Sequence, residues 1–277
     1  MQSPALTFGN YDTERIHDEL FHDDGTPRNG ARLLIDQLNS MSIDEVIHRQ
    51  QAMDRALMQM GITFTVYGAK EGTEKIFPFD LVPRVVEAFE WGHIEAGLKQ
   101  RIRALNRFIH DIYHDQEIIN SGIVPRDLLE QAKSFRHQCV GLNPPGDIWC
   151  HVTGTDLIRH SDGAIYVLED NLRCPSGVSY VLQNRLIMKR SFPQVFMASK
   201  VRPVTDYPSR LYSTLVGLAP PHIGDPTVVV LTPGIYNSAY YEHSFLAQQM
   251  GIELVEGSDL VVRDGFVYMR DTDGFRR

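Results

Sequence analysis

The chain has 277 residues, a formal net charge of −8, and 43% hydrophobic and 22% charged residues. This is the composition of a globular protein that is long enough for a well-buried core, and it argues against intrinsic disorder. The acidic balance disfavours a surface for nucleic acid or anionic lipid, so we expect small molecules as partners.

The compartment can be predicted from the cysteines and from the apolar runs. Three cysteines, an odd number, lack the spacing of a metal site. The first twenty residues lack a basic region followed by an apolar core, and no eighteen apolar residues run together. We therefore predict a cytoplasmic protein without a membrane partner. The formation of a homo-oligomer is left open as an alternative.

The first half of the chain is predicted to be mainly helical. After a polar arm of about forty residues, Ser42 as a cap and Gly61 as a stop signal bound a helix, and "ITFTVYG" follows as a strand. "SGIVPRDLLEQAKSFRHQC" predicts another helix, with Pro125 near its first turn. Between them lies an apolar stripe with steps of four and three residues, which predicts one long bent helix or two consecutive ones: Leu98, Ile102, Leu105, Ile109 and Ile112.

The second half alternates strands and helices. A strand from Val152 to Ile158, a turn at "HSDG" and a strand from Ala164 to Leu168 predict a hairpin. A helix is expected over about residues 179–190. Further on, "TVVVLTPG", "YYEHSFLAQQMG" and "IELVEGSDLVV" read as strand, helix and strand, a βαβ unit with a ligand-binding loop after its first strand. "RDGFVYMRDTDGFRR" predicts a last hairpin.

The predicted hairpin carries the pattern that is most suggestive of chemistry. Asp156 lies on its first strand, and Glu169, Asn171 and Arg173 follow at alternate positions, so that their side chains share one face. Carboxylate and amide oxygens suit Mg²⁺ that carries nucleotide phosphates, and Arg173 offers a fork for a phosphoryl group. The alternative interpretation is an ordinary hairpin with exposed acids.

The same pattern resembles the metal-binding end of the ATP-grasp fold. Longer segments, among them "PFDLVPRVVEAFEW", "GLKQRIRALNRFIHDIY", "LEDNLRCPSGVSYVLQNR" and "LTPGIYNSAYYEHSFLAQQMGIELVEGSDL", resemble the circularly permuted type 2 ATP-grasp family, relatives of glutathionylspermidine synthase. The resemblance implies an α/β (α+β) fold in which the metal-binding half precedes a Rossmann-like βαβ domain. It also implies that the C-terminal part of the family's chain is missing here.

The resemblance implies an activity and a set of site residues. The expected reaction is formation of an amide bond from an acid and an amine substrate, with ATP and Mg²⁺ as cofactors. Asp156, Glu169 and Asn171 would hold the metal, and Arg173 and Arg185 would stabilise the transferred phosphoryl group. The residues expected to bind the nucleotide or another anionic group near helix starts are Ser176, Asn237, Tyr240, Glu242 and His243.

Several alternatives remain at this point. For the Asn237–His243 segment, a capped helix start with aromatic packing is as good an interpretation as a ligand site. For the whole chain, the rivals are a non-catalytic binding or assembly subunit and a small-molecule kinase. The expected domains are residues 1–60, an arm and a helix; residues 61–200, the metal-binding half; and residues 201–277, an incomplete βαβ domain.

Overall fold

A computed structural model describes residues 4–9, 11–14, 16–66, 73–220 and 222–277, with the backbone alone at residues 64–66 and 73–75. The chain divides into two compact units, one formed by Met1–Val85 and Ser176–Arg277 and the other by Val86–Pro175. These boundaries do not follow the predicted ranges 1–60, 61–200 and 201–277. The reason is that the helix after Gly177 packs with the helix after Ser42, far earlier in the chain.

Groups of helices and groups of strands follow one another along the described residues. The α-helices are α1 (Arg32–Asn39), α2 (Ile43–Gln59), α3 (Ala88–Tyr113), α4 (Glu117–Asn120), α5 (Arg126–Glu130), α6 (Val178–Ser191), α7 (Pro193–Ala198), α8 (Tyr207–Gly217) and α9 (Tyr240–Met250). The strands are β1 (Thr63–Val66), β2 (Thr73–Ile76), β3 (Gly154–Arg159), β4 (Ile165–Asn171), β5 (Val229–Leu231), β6 (Glu253–Val255), β7 (Leu260–Arg263), β8 (Phe266–Asp271) and β9 (Gly274–Arg276). No helix in the described part of the chain is both long and apolar enough to cross a membrane.

The first unit contains the main apolar core. Side chains from α1, α2 and α6 meet there, and Leu38, Leu57 and Ile62 are fully buried. Helix α2 begins as predicted, because Ser42 Oγ accepts from the Glu45 amide at 3.2 Å. The strand predicted after it is confirmed as β1, which pairs antiparallel with β2, while Tyr67 and Gly68 of the predicted segment lie outside the described residues.

The C-terminal part of the first unit contains two small sheets. Strands β5 and β6 pair in parallel and are joined through α9, as the βαβ prediction requires. Strands β7, β8 and β9 form an antiparallel three-stranded sheet, one strand more than the predicted hairpin. A wider Rossmann-like domain around the parallel pair stays a prediction.

The second unit is built on one long helix. Helix α3 runs without interruption over 26 residues, which decides between the two predicted arrangements. The helix predicted around Pro125 was largely wrong, because only the five residues of α5 are α-helical there. Phe135, within the predicted helix, stacks on Tyr113 of α3 at 4.9 Å instead, a tertiary contact that outweighs local helix propensity.

Candidate functional site

The central hairpin of the second unit positions the predicted metal ligands. Strands β3 and β4 pair antiparallel, and the "HSDG" turn closes with a hydrogen bond from the His160 amide to the Ala164 carbonyl at 2.8 Å. Strand β4 extends through Asn171, three residues beyond the predicted end at Leu168. Glu169 and Asn171 therefore lie within the strand, and their orientation is set by its pleat.

Three oxygen-bearing side chains share one face of this hairpin. Asp156 is directly opposite Glu169, and Asn171 is opposite Gly154 one step further on the same face. Asn171 Nδ2 donates to Glu169 Oε1 at 3.2 Å, which leaves the amide Oδ1 available. All three side chains are exposed. We call this trio, Asp156, Glu169 and Asn171, the oxygen face.

The oxygen face has the chemistry of a hard-cation site. Side chains of directly opposed residues have their Cβ atoms about 5 Å apart, and like charges at such a pair destabilise the sheet. A divalent cation between Asp156 and Glu169 would remove that repulsion, and two carboxylates with an amide oxygen are donors that Mg²⁺ accepts. The described residues contain no group of three or more His, Cys, Asp or Glu side chains around one cation position.

A β-bulge adjoins the oxygen face. The register shifts between Asp156 and Leu157, so Leu168 is an extra residue in β4 without a partner in β3. Beyond the bulge, Ile158 pairs with Tyr166 on the face of Asp156, and both side chains are about half exposed. Exposed apolar surface therefore lies beside the oxygen face on the same side of the hairpin.

The opposite face of the hairpin is tied to α3. Arg101 Nε and Nη2 donate to Asp170 Oδ2, each at 2.7 Å, and Thr155 Oγ1 donates to Asp170 Oδ1 at 3.1 Å. The hydrogen bond from Arg101 lowers the pKa of Asp170. Arg159, also on this face, forms an ion pair with Glu90 of α3, with 2.6 Å between Nη1 and Oε1. The alternation of Glu169, Asp170 and Asn171 thus separates two exposed residues that are predicted metal ligands from one carboxylate that ties the hairpin to α3.

A second contact orders the segment after β4. A Cβ atom at Gly154 would lie 2.9 Å from Cβ of Pro175, closer than real side chains approach. Glycine at this position lets Pro175 pack against the strand opposite Asn171. Arg173, two residues before Pro175, is exposed and makes no hydrogen bond or ion pair with another described residue. Its guanidinium is available for an anion.

The remaining predicted residues belong to the first unit. Ser176 is exposed and lies two residues before the first residue of α6, the helix that carries Arg185. Arg185 Nη1 donates to the Arg202 carbonyl at 2.8 Å, and burial lowers the pKa of the Arg185 guanidinium. A partly desolvated cation of this kind, with no acid that raises its pKa, favours a bound anion.

The segment before α9 is held mainly by its own hydrogen bonds. Asn237 Oδ1 accepts from the Ala239 amide at 2.9 Å, and Tyr240 is the first residue of the helix. His243 Nδ1 lies 3.0 Å from Oγ1 of Thr232, a buried residue that directly follows β5. Asn237 and His243 therefore have structural partners, and their predicted role toward a nucleotide stays a prediction.

Glu242 occupies a different kind of position from the one predicted for a nucleotide ligand. Its side chain is buried, and both carboxylate oxygens accept from the Gly177 amide at 2.7 Å. Oε2 also accepts from the Ser179 amide at 2.9 Å. Sequence reasoning missed this arrangement, because a contact across 63 residues has no local signal.

Comparison with known proteins identifies relatives of the whole chain. A protein of Synechocystis sp., which is uncharacterised, is 53% identical over 267 residues, covering 96% of this chain and 56% of its own length. A protein of Frankia alni named provisionally as glutamate–cysteine ligase 2-3 is 38% identical over 264 residues, covering 94% of this chain and 30% of its own. The chain thus spans about half, or less, of the length of these relatives.

A solved structure supports the fold. A glutathione synthetase-like effector from Globodera pallida, in its apo form, superposes with a TM-score of 0.53 over 84% of this chain and 56% of its own, at 12% identity. Such a low identity shows the similarity of fold alone. The family model of circularly permuted ATP-grasp type 2 proteins matches residues 83–277, which include the hairpin and the oxygen face. The chain therefore belongs to the circularly permuted ATP-grasp type 2 family.

Proposed function

We propose that this chain provides the metal-binding part of an ATP- and Mg²⁺-dependent carboxylate–amine ligase. The observation that carries the proposal is the register of β3 and β4, which sets Asp156 opposite Glu169 with Asn171 on the same face. Membership of the ATP-grasp type 2 family supports it, as do relatives named provisionally as glutamate–cysteine ligases. On this proposal the protein is cytoplasmic and acts on small molecules.

In the proposed reaction an oxygen of the substrate carboxylate attacks the γ-phosphorus of ATP and ADP leaves. The amine nitrogen then attacks the carbonyl carbon of the acyl phosphate, loses a proton, and expels inorganic phosphate. Mg²⁺, when bound, neutralises charge on the phosphate oxygens. Asp156, Glu169 and Asn171 would hold it through their oxygens.

The chain's own cations complete the proposed site. Arg173 offers five N–H donors in a planar fork and would pair with the transferred phosphoryl group as charge accumulates on its oxygens. For Arg185, which is partly desolvated, and Ser176, a neutral donor, both in the first unit, we propose a role in binding phosphate groups of the nucleotide. The exposed apolar pair Ile158 and Tyr166 would face the less polar part of the nucleotide, since the pair lies on the face that would hold the metal.

The first test is Mg²⁺-dependent nucleotide binding by the 277-residue chain. We expect ATP to bind more tightly with Mg²⁺ than with EDTA in isothermal titration calorimetry, and Glu169→Gln to remove the difference. Glu130→Gln is the matched control, since this exposed glutamate on α5 belongs to the same unit and lies outside the oxygen face. Equal ATP binding with Mg²⁺ and with EDTA in the wild-type chain would contradict the proposed metal site.

The second test distinguishes a ligase from its rivals. With glutamate, cysteine and hydroxylamine as probes, a ligase releases phosphate from ATP and traps the activated acid as a hydroxamate. A stable phosphorylated product in place of hydroxamate would favour a kinase. Tight Mg²⁺–ATP binding without phosphate release, also with a broad panel of amino acids, would favour a binding subunit.

A further inference from the structure

A buried carboxylate joins two helices of the first unit. Glu242 lies in the first turn of α9 and is 4% exposed. An ionised carboxylate is stable in such a position only where hydrogen bonds or opposite charges replace water. The partners that the structure provides are backbone amides at the beginning of another helix, α6.

The geometry is that of a helix cap supplied from a distance. Gly177, the residue directly before α6, has a backbone φ of 104°. As a glycine it has no side chain that could accept from the first amides of the helix. The Gly177 amide donates to both oxygens of Glu242 at 2.7 Å, and the Ser179 amide donates to Oε2 at 2.9 Å. The first amides of a helix need acceptors, and the helix dipole favours a negative charge there.

Three tyrosines lie close enough to Glu242 for its carboxylate to affect them electrostatically. Burial raises the pKa of Tyr180 and Tyr207, and the negative charge of Glu242 adds to the effect at each. Burial also raises the pKa of Tyr241 to about 12, again with a contribution from Glu242. The direct hydrogen bonds of the carboxylate come from the Gly177 and Ser179 amides.

The capped end of α6 adjoins two residues of the proposed site. Ser176 immediately precedes Gly177, and Arg185 lies about two turns into α6. The Glu242 carboxylate already accepts from the Gly177 and Ser179 amides at this helix end. A phosphate is therefore not expected to bind to these two amides. The contact with Glu242 holds the Gly177 and Ser179 amides, and with them the beginning of α6.

We propose that Glu242 is a positioning residue which, through the Gly177 and Ser179 amides, sets Ser176 and Arg185 for the phosphate groups of the nucleotide. This inference rests on the proposed function of the chain as a Mg²⁺–ATP-binding protein. It assigns Glu242 a role through other residues, in place of direct contact with the nucleotide.

The experiment compares Glu242→Gln, Glu242→Asp and a matched control. Glutamine keeps the shape but replaces one acceptor oxygen by an NH₂ group that opposes the Gly177 amide, whereas aspartate keeps both oxygens on a shorter stem. Asp18→Asn is the control, because Asp18 likewise accepts from two backbone amides, those of Leu20 and Phe21, each at 2.8 Å, in the same unit.

We expect Glu242→Gln to weaken Mg²⁺–ATP binding by about tenfold, the effect of losing one charge-assisted hydrogen bond. Binding of adenosine, which has no phosphates, should change by less than about twofold on the same scale. Glu242→Asp should recover part of the ATP affinity, and Asp18→Asn should leave both affinities unchanged. Amide hydrogen exchange at Gly177 and Ser179 should accelerate in Glu242→Gln and not in Asp18→Asn.

Each contrary result overturns a distinct statement. Unchanged exchange at Gly177 and Ser179 in Glu242→Gln would overturn the anchoring role itself. Faster exchange with unchanged ATP affinity, or an equal loss of ATP and adenosine affinity, would overturn positioning toward phosphate while leaving the proposed function intact. A wild-type chain that does not bind Mg²⁺–ATP would overturn the proposed function together with the role of Glu242 in it.

Discussion

Single residues decide how closely the segments around the oxygen face approach one another. Asp156, Glu169 and Asn171 lie on one face because of strand alternation alone, which a sequence pattern captures. Gly154 is different, because Pro175 packs where a side chain at this position would lie. The need for glycine at such a position depends on a neighbour 21 residues away and has no local signature.

Replacement of Gly154 tests this contact. We expect Gly154→Ala to lower the free energy of unfolding by about 1–3 kcal/mol, because the new methyl group overpacks against Pro175. Gly97→Ala is the control, since this α3 position has open space around a new Cβ atom and should gain about 0.5–1 kcal/mol from helix propensity. Urea unfolding followed by tryptophan fluorescence measures both, as Trp91 and Trp149 belong to the same unit.

At the scale of elements, polar contacts tie the hairpin to α3. Arg101 and Asp170 join the middle of α3 to β4, and Arg159 and Glu90 join β3 to the first turn of α3. Asn106 Oδ1 also accepts from the Trp149 and Cys150 amides at 2.7 and 3.0 Å, just before the hairpin. The sequence predicted both elements, but not which charged residues pair between them.

The Asp170 carboxylate should make the stability of this unit dependent on acid pH. Its folded-state pKa lies below the ordinary value of 3.8, mainly because of the hydrogen bond from Arg101. The contribution to stability is thus fully present above pH 3.8 and is lost as the pH falls through the lower, folded-state pKa. We expect Asp170→Asn to unfold at a lower urea concentration than the wild type at pH 7. The difference between the two urea midpoints should become smaller below pH 3.8.

Asp156→Asn is the matched control for this experiment. It removes a carboxylate on the opposite, exposed face of the same hairpin, where β-sheet geometry places a like charge directly opposite. We expect no loss of stability from it at pH 7. If the difference in urea midpoint between Asp170→Asn and the wild type stayed constant down to the lowest pH, the Arg101–Asp170 pair would not be the cause of the lower stability.

At the scale of the whole chain, the core of the first unit joins segments that are remote in sequence. Phe21, Leu57 and Leu81 from the first part of the chain pack with Ile187 and Phe192 from α6 and the residue after it. The intervening residues 86–175 form the other unit. Local periodicity predicts α2 and α6 separately, whereas their common core is a property of the fold.

Adjacent residues of α2 test the importance of this core. Leu57 is fully buried, so Leu57→Ala should lower the free energy of unfolding by about 2–5 kcal/mol through lost burial and a residual cavity. Met58, 61% exposed, is the control, and Met58→Ala should change stability by less than about 0.5 kcal/mol. Urea unfolding followed by far-ultraviolet circular dichroism provides the comparison. Equal effects of the two substitutions would contradict the assignment of Leu57 to the core.

The sequence by itself determined the features that depend on residues close together in the chain. The Ser42 cap, the long stripe of α3, the hairpin with its oxygen face and the strand–helix–strand segment around α9 all follow from spacing, capping and turn chemistry. The tertiary structure alone decided the partners of Asp170, the close approach of Pro175 to Gly154, the short α5, and the use of Glu242 to cap α6. These features depend on contacts between distant segments, and their energies arise only when the folded chain brings the partners together.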